Sequence, residues 1–401
     1  MELNEETFNE ERMQMKRLAW TGLMAMVAMT AAALSMPVVD VTKVGAEKKT
    51  VTIDVADPAF AKCLRRNLEI SGLFQVQPNA AIKVSGAAGA ITAEGNGKRL
   101  SCTTAFADEK AARMAARKLS DAMCEAYGQQ KGFACDRVVF INRGQQVGKD
   151  GTIPGELCVG YPDGSDIRQV TGDKAASIFP RWKNANELLY IGYLKGAPQI
   201  LELDTATGKR KTKWSFKGTP AGIAVSPDGT RVAAILSFQG NPELYVVDMA
   251  SGAWTRLTTT PLASEGQPTW SPDGRKIAYV SNETRHPQIY VIDVATKEKR
   301  RLTSKGRENI DPDWGKDGNI VYITKRGGAQ VAVMSPAEGD ATARLVTQEA
   351  NWEHPSWSRD MRHVVANRDQ ALFIIDTLEG GDGPVQMFHA AGNWISPSWS
   401  K

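Results

Sequence analysis

Trp270-Ser271-Pro272-Asp273-Gly274 is the stretch that decides the fold, because its pattern recurs along the chain. The same turn residues stand at Val225-Ser226-Pro227-Asp228-Gly229, and looser versions follow further on. The residue preceding each such position, here called the anchor, is Trp182, Val225, Trp270, Trp314, Trp357 or Trp399. These six anchors lie 43, 45, 44, 43 and 42 residues apart. A repeat of that length is typical of β-propellers, in which each unit forms one blade of four strands.

Each unit also contains strand-like runs of its own. In the unit of Trp270, the runs Lys276–Val280, Gln288–Val294 and Arg300–Thr303 follow the Asp-Gly turn. They are short, rich in Val, Ile and Tyr, and separated by turn residues, which is typical of antiparallel strands. Together with the strand that ends at the anchor, they give four strands per unit.

The two ends of the repeat region each supply part of one more unit. The runs Val138–Asn142, Leu157–Tyr161 and Ile167–Thr171 have no anchor strand before them, whereas Ile395–Ser400 is an anchor strand with nothing after it. Joining them closes the ring and removes exposed sheet edges. The sequence therefore predicts a mainly β fold, with a six-bladed β-propeller over residues 136–401 that is closed by the C-terminal strand.

Residues 47–135 are predicted to form a small α/β domain in front of the propeller. Val51–Val55 has the pattern of a strand, and Asp57-Pro58 supplies a helix N-cap followed by proline at the first helical position. The helix is expected over Ala59–Ser71 and is ended by Gly72. Gly95-Asn96-Gly97 predicts a tight hairpin between two further strands.

A second helix is expected over Asp108–Tyr127. One face carries apolar residues at helical spacing, namely Ala115, Leu119, Met123 and Ala126, and is interpreted as core. Another face carries the basic stripe Lys110, Arg113 and Arg117. Such a stripe is usually a solvated face, and a partner site is the alternative.

The first 46 residues have the features of an export signal. Lys16-Arg17 precedes an apolar run over Leu18–Met36, and Val44-Gly45-Ala46 fits the small-x-small cleavage rule. The five glutamates of Met1–Gln14 do not suit the start of a signal, which favours Met13 or Met15 as the true start. The alternative is an uncleaved membrane anchor, because the run is near spanning length.

The composition excludes several classes of protein. With 42% hydrophobic and 23% charged residues, the 401-residue chain is ordinary globular protein, and its net charge of +4 is spread without a dedicated nucleic-acid patch. The five cysteines show no Cys-x-x-Cys spacing, so no zinc site is expected. Their odd number leaves at least one unpaired. Most are interpreted as small buried hydrophobes.

Three stretches resemble the TolB family, the periplasmic propellers of the Tol–Pal system. They are the blade segment from Gly266 to Tyr290, the closing strand Ser396–Ser400, and the helix end Leu68–Phe74. The first domain is shorter than expected for that family and carries several cysteines. The resemblance implies a periplasmic protein without cofactor, peripheral to membranes. It would bind a Pal-like peptidoglycan-associated lipoprotein at the channel mouth and a TolA-like inner-membrane protein through its mature N-terminal segment, supporting envelope integrity and constriction during division.

The position three residues before each anchor is the candidate partner site, since equivalent positions of a ring converge on one channel. It is occupied in turn by Phe179, Gly222, Gln267, Asp311, His354 and Ser396. The predicted partner-binding residues are Gln267, Asp311, Glu353 and His354. The alternative is a propeller hydrolase or lyase, in which Asp311, His354, Glu353 and Glu308 hold a metal or transfer protons. The sequence contains no Gly-x-Ser-x-Gly, His-Glu-x-x-His or phosphate-binding loop, so no enzyme is expected.

Overall fold

The structure is a computed structural model that describes residues 47–144, 153–194, 197–215, 218–237 and 240–400. The predicted export signal, residues 1–46, lies outside the described residues. These described residues belong to one compact unit. Within the described ranges, no helix is both long enough and apolar enough to cross a membrane.

The N-terminal part is built on one five-stranded sheet. Its strands are β1 (Lys49–Val55), β2 (Phe74–Val76), β3 (Ile82–Gly86), β4 (Ile91–Gly95) and β5 (Lys98–Cys102). Their order is β2-β1-β3-β4-β5, with β1 parallel to both neighbours and the last two pairs antiparallel. The predicted hairpin is confirmed, because Asn96 and Gly97 adopt φ of 50° and 73° between β4 and β5, as a two-residue turn with positive φ requires.

Two helices cover one face of this sheet. The helix α1 (Pro58–Ile70) begins after Asp57, whose side chain accepts a hydrogen bond from the Phe60 amide, and Gly72 follows it at a φ of 65°. The helix α2 (Glu109–Gly128) is capped by Asp108. The predicted apolar face of α2 packs against α1 and the sheet in one core, which includes Leu64, Leu119 and Met123.

The remainder of the chain forms six antiparallel four-stranded blades, as predicted. The strands of each blade, from the channel outward, are as follows. Blade 1 contains β29 (Trp394–Trp399), β6 (Val138–Arg143), β7 (Gly155–Gly160) and β8 (Arg168–Gln169). Blade 2 contains β9 (Ser177–Trp182), β10 (Glu187–Gly192), β11 (Gln199–Asp204) and β12 (Arg210–Ser215). Blade 3 contains β13 (Pro220–Val225), β14 (Arg231–Leu236), β15 (Glu243–Asp248) and β16 (Trp254–Arg256).

Blades 4 to 6 repeat the same arrangement. Blade 4 contains β17 (Glu265–Trp270), β18 (Lys276–Ser281), β19 (Gln288–Asp293) and β20 (Lys299–Arg301). Blade 5 contains β21 (Glu308–Trp314), β22 (Ile320–Lys325), β23 (Ala329–Met334) and β24 (Arg344–Leu345), with a short 3₁₀ turn at Gly339–Thr342. Blade 6 contains β25 (Trp352–Trp357), β26 (His363–Arg368), β27 (Ala371–Asp376) and β28 (Val385–Gln386).

The two ends of the repeat region meet in blade 1. There β29 pairs antiparallel with β6, with Ile395 opposite Ile141 and Trp399 opposite Val138. The predicted closure is therefore confirmed. The C-terminal strand β29 pairs with the edge of β6, which would otherwise have its backbone hydrogen-bonding groups unpaired.

The basic stripe on α2 is not a solvated face, and the interpretation made from the sequence is wrong for two of its three residues. Arg117 is fully buried and contacts the turn between β7 and β8, where its guanidinium pairs with Asp163 at 3.0 Å and Asp166 at 2.7 Å. It also stacks on Tyr161, with 3.6 Å between guanidinium carbon and ring centre. Arg113 pairs with Asp166 at 2.6 Å. Arg113 and Arg117 therefore fix the N-terminal sheet and helices to the propeller, and Lys110 stays exposed.

A second contact between the two parts lies at blade 6. Arg362 pairs with Asp376 through two hydrogen bonds of 2.9 and 2.5 Å, and a third of 3.0 Å joins it to Gln130 after α2. Gly72, after α1, packs on this pair so closely that a Cβ there would lie 2.6 Å from the guanidinium. All five cysteines are free, and Cys63, Cys124 and Cys158 are buried.

Candidate binding channel

Each of the six anchors is the last residue of an innermost strand, so the repeat places equivalent residues around one channel. The anchors Trp357 and Trp399 are each 1% exposed, and Trp270 is 4% exposed. These indoles pack within the blade cores, which is the role expected of large apolar side chains at a repeated position.

The candidate position, three residues before each anchor, has an unusual backbone in all six blades. The residues there adopt φ between 48° and 54°, and the glycine 153°; they are Phe179, Gly222, Gln267, Asp311, His354 and Ser396. At this point the pairing of every innermost strand with its neighbour shifts register. Such a bulge re-aims a side chain. Because the bulge recurs in every blade it belongs to the fold, and only the side chains differ.

Three of the four predicted partner-binding residues are brought together by this ring. The Gln267 amide nitrogen donates to Asp311 Oδ1, and the Asp311 backbone amide donates to Gln267 Oε1 at 3.0 Å. Asp311 Oδ2 in turn accepts the backbone amide of His354 at 3.0 Å, and His354 Nδ1 lies 3.2 Å from Asp311 Oδ1. One chain of hydrogen bonds therefore joins blades 4, 5 and 6.

The Asp311–His354 contact has the charges of an ion pair. Burial by itself would raise the pKa of Asp311, but the charge of His354 and its hydrogen bonds lower that pKa overall. Burial also disfavours the charged form of His354, yet the Asp311 carboxylate raises the His354 pKa overall. The imidazole keeps 28% of its side-chain surface exposed, against 6% for Asp311, so His354 is the member that a partner can touch.

Glu353 and Glu308 are not part of this cluster. The Glu353 carboxylate is exposed and accepts a hydrogen bond of 2.9 Å from Asn367 in its own blade. Glu308 pairs with Lys325 at 3.0 Å, also within its blade. In the part of the chain that the structure describes, no group of three or more His, Cys, Asp or Glu side chains is arranged to hold a metal ion.

The channel contains a cavity of about 450 Å³ whose wall includes Gln267, Asp311 and His354. Arg181 and Asp313 also line it, and both stand one residue before an anchor. Burial lowers the pKa of Arg181, and the nearby Asp313 and Asp311 oppose that shift. The cavity thus presents cationic and anionic groups side by side, which suits a polar protein segment.

Sequence reasoning missed these residues one position before the anchors, although the same count along the repeat would have found them. At three blades the residue one position before the anchor also joins neighbouring blades. The anchor amides of Trp314, Trp357 and Trp399 donate to Thr269 at 3.1 Å, Asp313 at 2.8 Å and Ser356 at 3.1 Å. Thr269 and Asp313 each belong to the blade before that of the donor. Ser356 belongs to blade 6, next to the closing strand of blade 1.

Comparisons with known proteins agree with this architecture. A family model described as the TolB beta propeller domain (PD40) matches residues 124–401. The Tol-Pal system protein TolB of Dinoroseobacter shibae is 30% identical over 158 residues, which are 39% of this chain and 35% of that protein. The protein of the same name from Gluconobacter oxydans is 25% identical over 166 residues, 41% of this chain and 36% of that protein. The match therefore spans about a third of each relative.

A solved structure shows the fold over a longer stretch. The crystal structure of TolB from Acinetobacter baumannii superimposes with a TM-score of 0.77 and covers 89% of this chain and 98% of that one. Its sequence identity is 21%, so the likeness establishes the six-bladed architecture and the preceding sheet and helices.

Proposed function

The chain belongs to the TolB β-propeller family, and from that premise we propose that it is a periplasmic, non-enzymatic protein-binding module of a Tol–Pal-like envelope system. It would bind a Pal-like lipoprotein in the channel and a TolA-like inner-membrane protein through its mature N-terminal segment. In this role it supports envelope integrity and constriction during division. The chain would be exported after removal of residues 1–46 or nearly so, which would leave an N-terminal α/β domain over residues 47–135 and the propeller over residues 136–401.

The observation that carries the proposal is the polar wall of the channel. Five of the six equivalent positions share one backbone conformation, yet among these described positions only those of blades 4 to 6 carry polar side chains linked by hydrogen bonds, Gln267, Asp311 and His354. Arg181 faces the same cavity. A fixed scaffold with variable, convergent polar groups is what a specific protein interface needs, because polar groups orient the partner while desolvated contacts supply most of the energy.

The second candidate function, a propeller hydrolase or lyase, rests on Asp311 and His354 as an acid–base pair. Their contact of 3.2 Å is suitable for proton transfer. However, both Asp311 oxygens already accept hydrogen bonds from neighbouring blades. The pair is better explained as a join between blades that offers one imidazole edge to a partner.

The test is calorimetric titration of the soluble domain of a Pal-like lipoprotein into channel variants. Arg181→Ala and His354→Ala should each weaken binding by roughly 5- to 150-fold, the effect of about 1–3 kcal/mol expected for one well-buried polar contact. Arg181→Ala is the sharper variant, because the only hydrogen bond of its side chain among the described residues is to the adjacent Pro180 carbonyl. Asp311→Lys should weaken binding further, but it also removes joins between blades.

Lys209→Ala, in the exposed turn between β11 and β12, is the matched control and should bind like the parent. Circular dichroism of each variant separates lost binding from lost folding. If Arg181→Ala and His354→Ala both bind like the parent while folded, the channel is not the site.

A further inference from the structure

The junction between blades 3 and 4 buries two carboxylic acids side by side. Glu243 is the first residue of β15 in blade 3, and Glu265 is the first residue of β17 in blade 4. They are 2% and 3% exposed. Burying two like charges together is costly unless one of them is neutral or each finds its own cation.

Glu243 is surrounded by hydrogen-bond donors. Its Oε1 accepts the Thr260 amide at 2.6 Å and the Arg256 guanidinium at 2.9 Å, and its Oε2 accepts the Thr258 hydroxyl at 2.6 Å. Although burial alone would raise its pKa, these donors lower the Glu243 pKa overall. Glu243 is therefore the ionised member of the pair.

The Thr260 hydroxyl decides the state of the other member by a count of hydrogens. Its oxygen lies 3.1 Å from Glu243 Oε2 and 2.8 Å from Glu265 Oε1. A hydroxyl carries one hydrogen, so it can donate to only one of two carboxylates. The second contact is a hydrogen bond only if the other carboxyl group donates, and Glu265 is the one without a cationic partner within ion-pair distance among the described residues.

We propose that Glu265 is a proton-binding residue of the junction between blades 3 and 4. In mildly acidic solution it holds a proton and donates it to the Thr260 hydroxyl, which donates in turn to Glu243. Loss of that proton places two carboxylates against one hydroxyl and loosens the junction. Because β17 also carries Gln267, the loosening acts on a strand that lines the channel.

The groups that face Glu265 from the surrounding strands agree with a neutral acid. They are Glu243 from blade 3, and Tyr279, Ser281 and Lys299 from blade 4. Arg256 is bound to Glu243, and Lys299 is bound to Glu283. Among the described residues, Glu265 Oε2 is buried without a hydrogen-bond partner, although the nearby Ser281 hydroxyl opposes part of the rise in the Glu265 pKa. Burial, with Glu243 nearby, raises the pKa of Glu265 from 4.5 to about 7.

The next junction of the same ring provides a natural control. At the equivalent positions, blade 4 has Gln288 and blade 5 has Asn309, and the Asn309 amide donates to Gln288 Oε1 at 2.8 Å. Thr303, equivalent to Thr258, donates to the same oxygen at 2.8 Å. Amide side chains form these hydrogen bonds without gaining or losing a proton, so the stability of this junction should not depend on pH.

The sign of the pH dependence follows from the raised pKa. The folded chain keeps the proton up to about pH 7, whereas the unfolded chain releases it near 4.5. Stability from this residue is therefore greatest below about pH 4.5, falls as the pH rises to about 7, and is constant above that. The full change corresponds to at most about 300-fold in the unfolding equilibrium constant.

The test compares the whole chain with Glu265→Gln, whose amide can donate to Thr260 at any pH. Denaturant unfolding is measured from pH 5 to pH 8. The parent should lose stability relative to Glu265→Gln as the pH rises, and Asn309→Asp should introduce a new loss of the same sign at the second junction. Infrared difference spectra should show a protonated carboxyl band in the folded parent near pH 6 that Glu265→Gln lacks.

Three results would overturn the proposal. One is a parent and Glu265→Gln with parallel pH profiles, and another is the absence of a protonated carboxyl band in the parent, which can be measured even if the variant does not fold. The third is a stabilisation by added Ca²⁺ that Glu265→Gln abolishes, because the two carboxylates would then bind a cation in place of the proton.

Discussion

Arg117 is the residue whose replacement should most clearly separate the N-terminal sheet and helices from the propeller. Its side chain is fully buried and pairs with Asp163, which is itself 2% exposed in its side chain, and with Asp166. Arg117→Met keeps most of the aliphatic stem and removes the charge. Asp166 would retain Arg113 at 2.6 Å, whereas Asp163 would be left buried without a cation.

The magnitude follows from that orphaned carboxylate. Removing one member of a buried ion pair costs about 3–5 kcal/mol, because the other charge remains out of water. Some of this cost is relieved at low pH, since an unpaired Asp163 can take up a proton. In the parent, burial would raise the Asp163 pKa, but Arg117 lowers it overall, so the contribution of the pair is present above about pH 4 and lost as the pH falls further.

The assay is equilibrium denaturation of Arg117→Met beside Lys110→Met, which removes an exposed charge from the same helix and should change stability by less than about 0.5 kcal/mol. Hydrogen exchange should show faster exchange in α2 of Arg117→Met. Adding Asp163→Asn to that variant removes the orphaned charge and should recover part of the loss. A loss below about 1 kcal/mol, or a double variant no more stable than Arg117→Met, would refute the reasoning.

Two further predictions concern the ring and a turn within it. Deleting residues 394–401 removes β29 and leaves β6 unpaired, so cooperative thermal unfolding should be lost or shifted strongly downward; an unchanged melting curve would contradict closure by that strand. Gly164 has a φ of 78°, and a Cβ there would lie 2.1 Å from the Met387 carbonyl oxygen. Gly164→Ala should therefore lose clearly more stability in denaturant titrations than Gly208→Ala, whose φ is 72° with open space around it and whose loss should be about 1–2 kcal/mol. Equal losses would show that the clash is relieved.

Local sequence determined the elements of this protein because their causes lie within a few residues. The Asp57 cap, the Gly72 stop and the Asn96-Gly97 turn each satisfy a backbone requirement of their own segment. The repeat determined the propeller for a related reason. One blade cannot bury its faces alone, so a regular spacing of anchors implies stacked neighbours and, with a strand left over at each end, a closed ring.

Prediction of the candidate site was partial. The count from the anchors located Gln267, Asp311 and His354, because ring symmetry carries one position to the next blade. It did not identify Arg181, and it gave no means of telling that Glu353 bonds within its own blade. Alternate residues of a strand point to opposite faces, and a bulge changes that alternation, so side-chain direction at this site had to come from the structure.

Only the tertiary structure decided where the charges go. Along the chain Lys and Arg are scattered, yet the outermost strands of the six blades together contain nine Lys or Arg and no Asp or Glu. The sequence likewise placed Arg117 on a helix face that could equally be solvated, whereas its partners Asp163 and Asp166 come from a turn 46 and 49 residues away. The sequence by itself determined the periodic features, because the hydrogen bonds and apolar burial behind them repeat with the chain. Ion pairs between distant segments have no such period. Their burial, their charge state and their structural role depend on which surfaces the folded chain brings into contact.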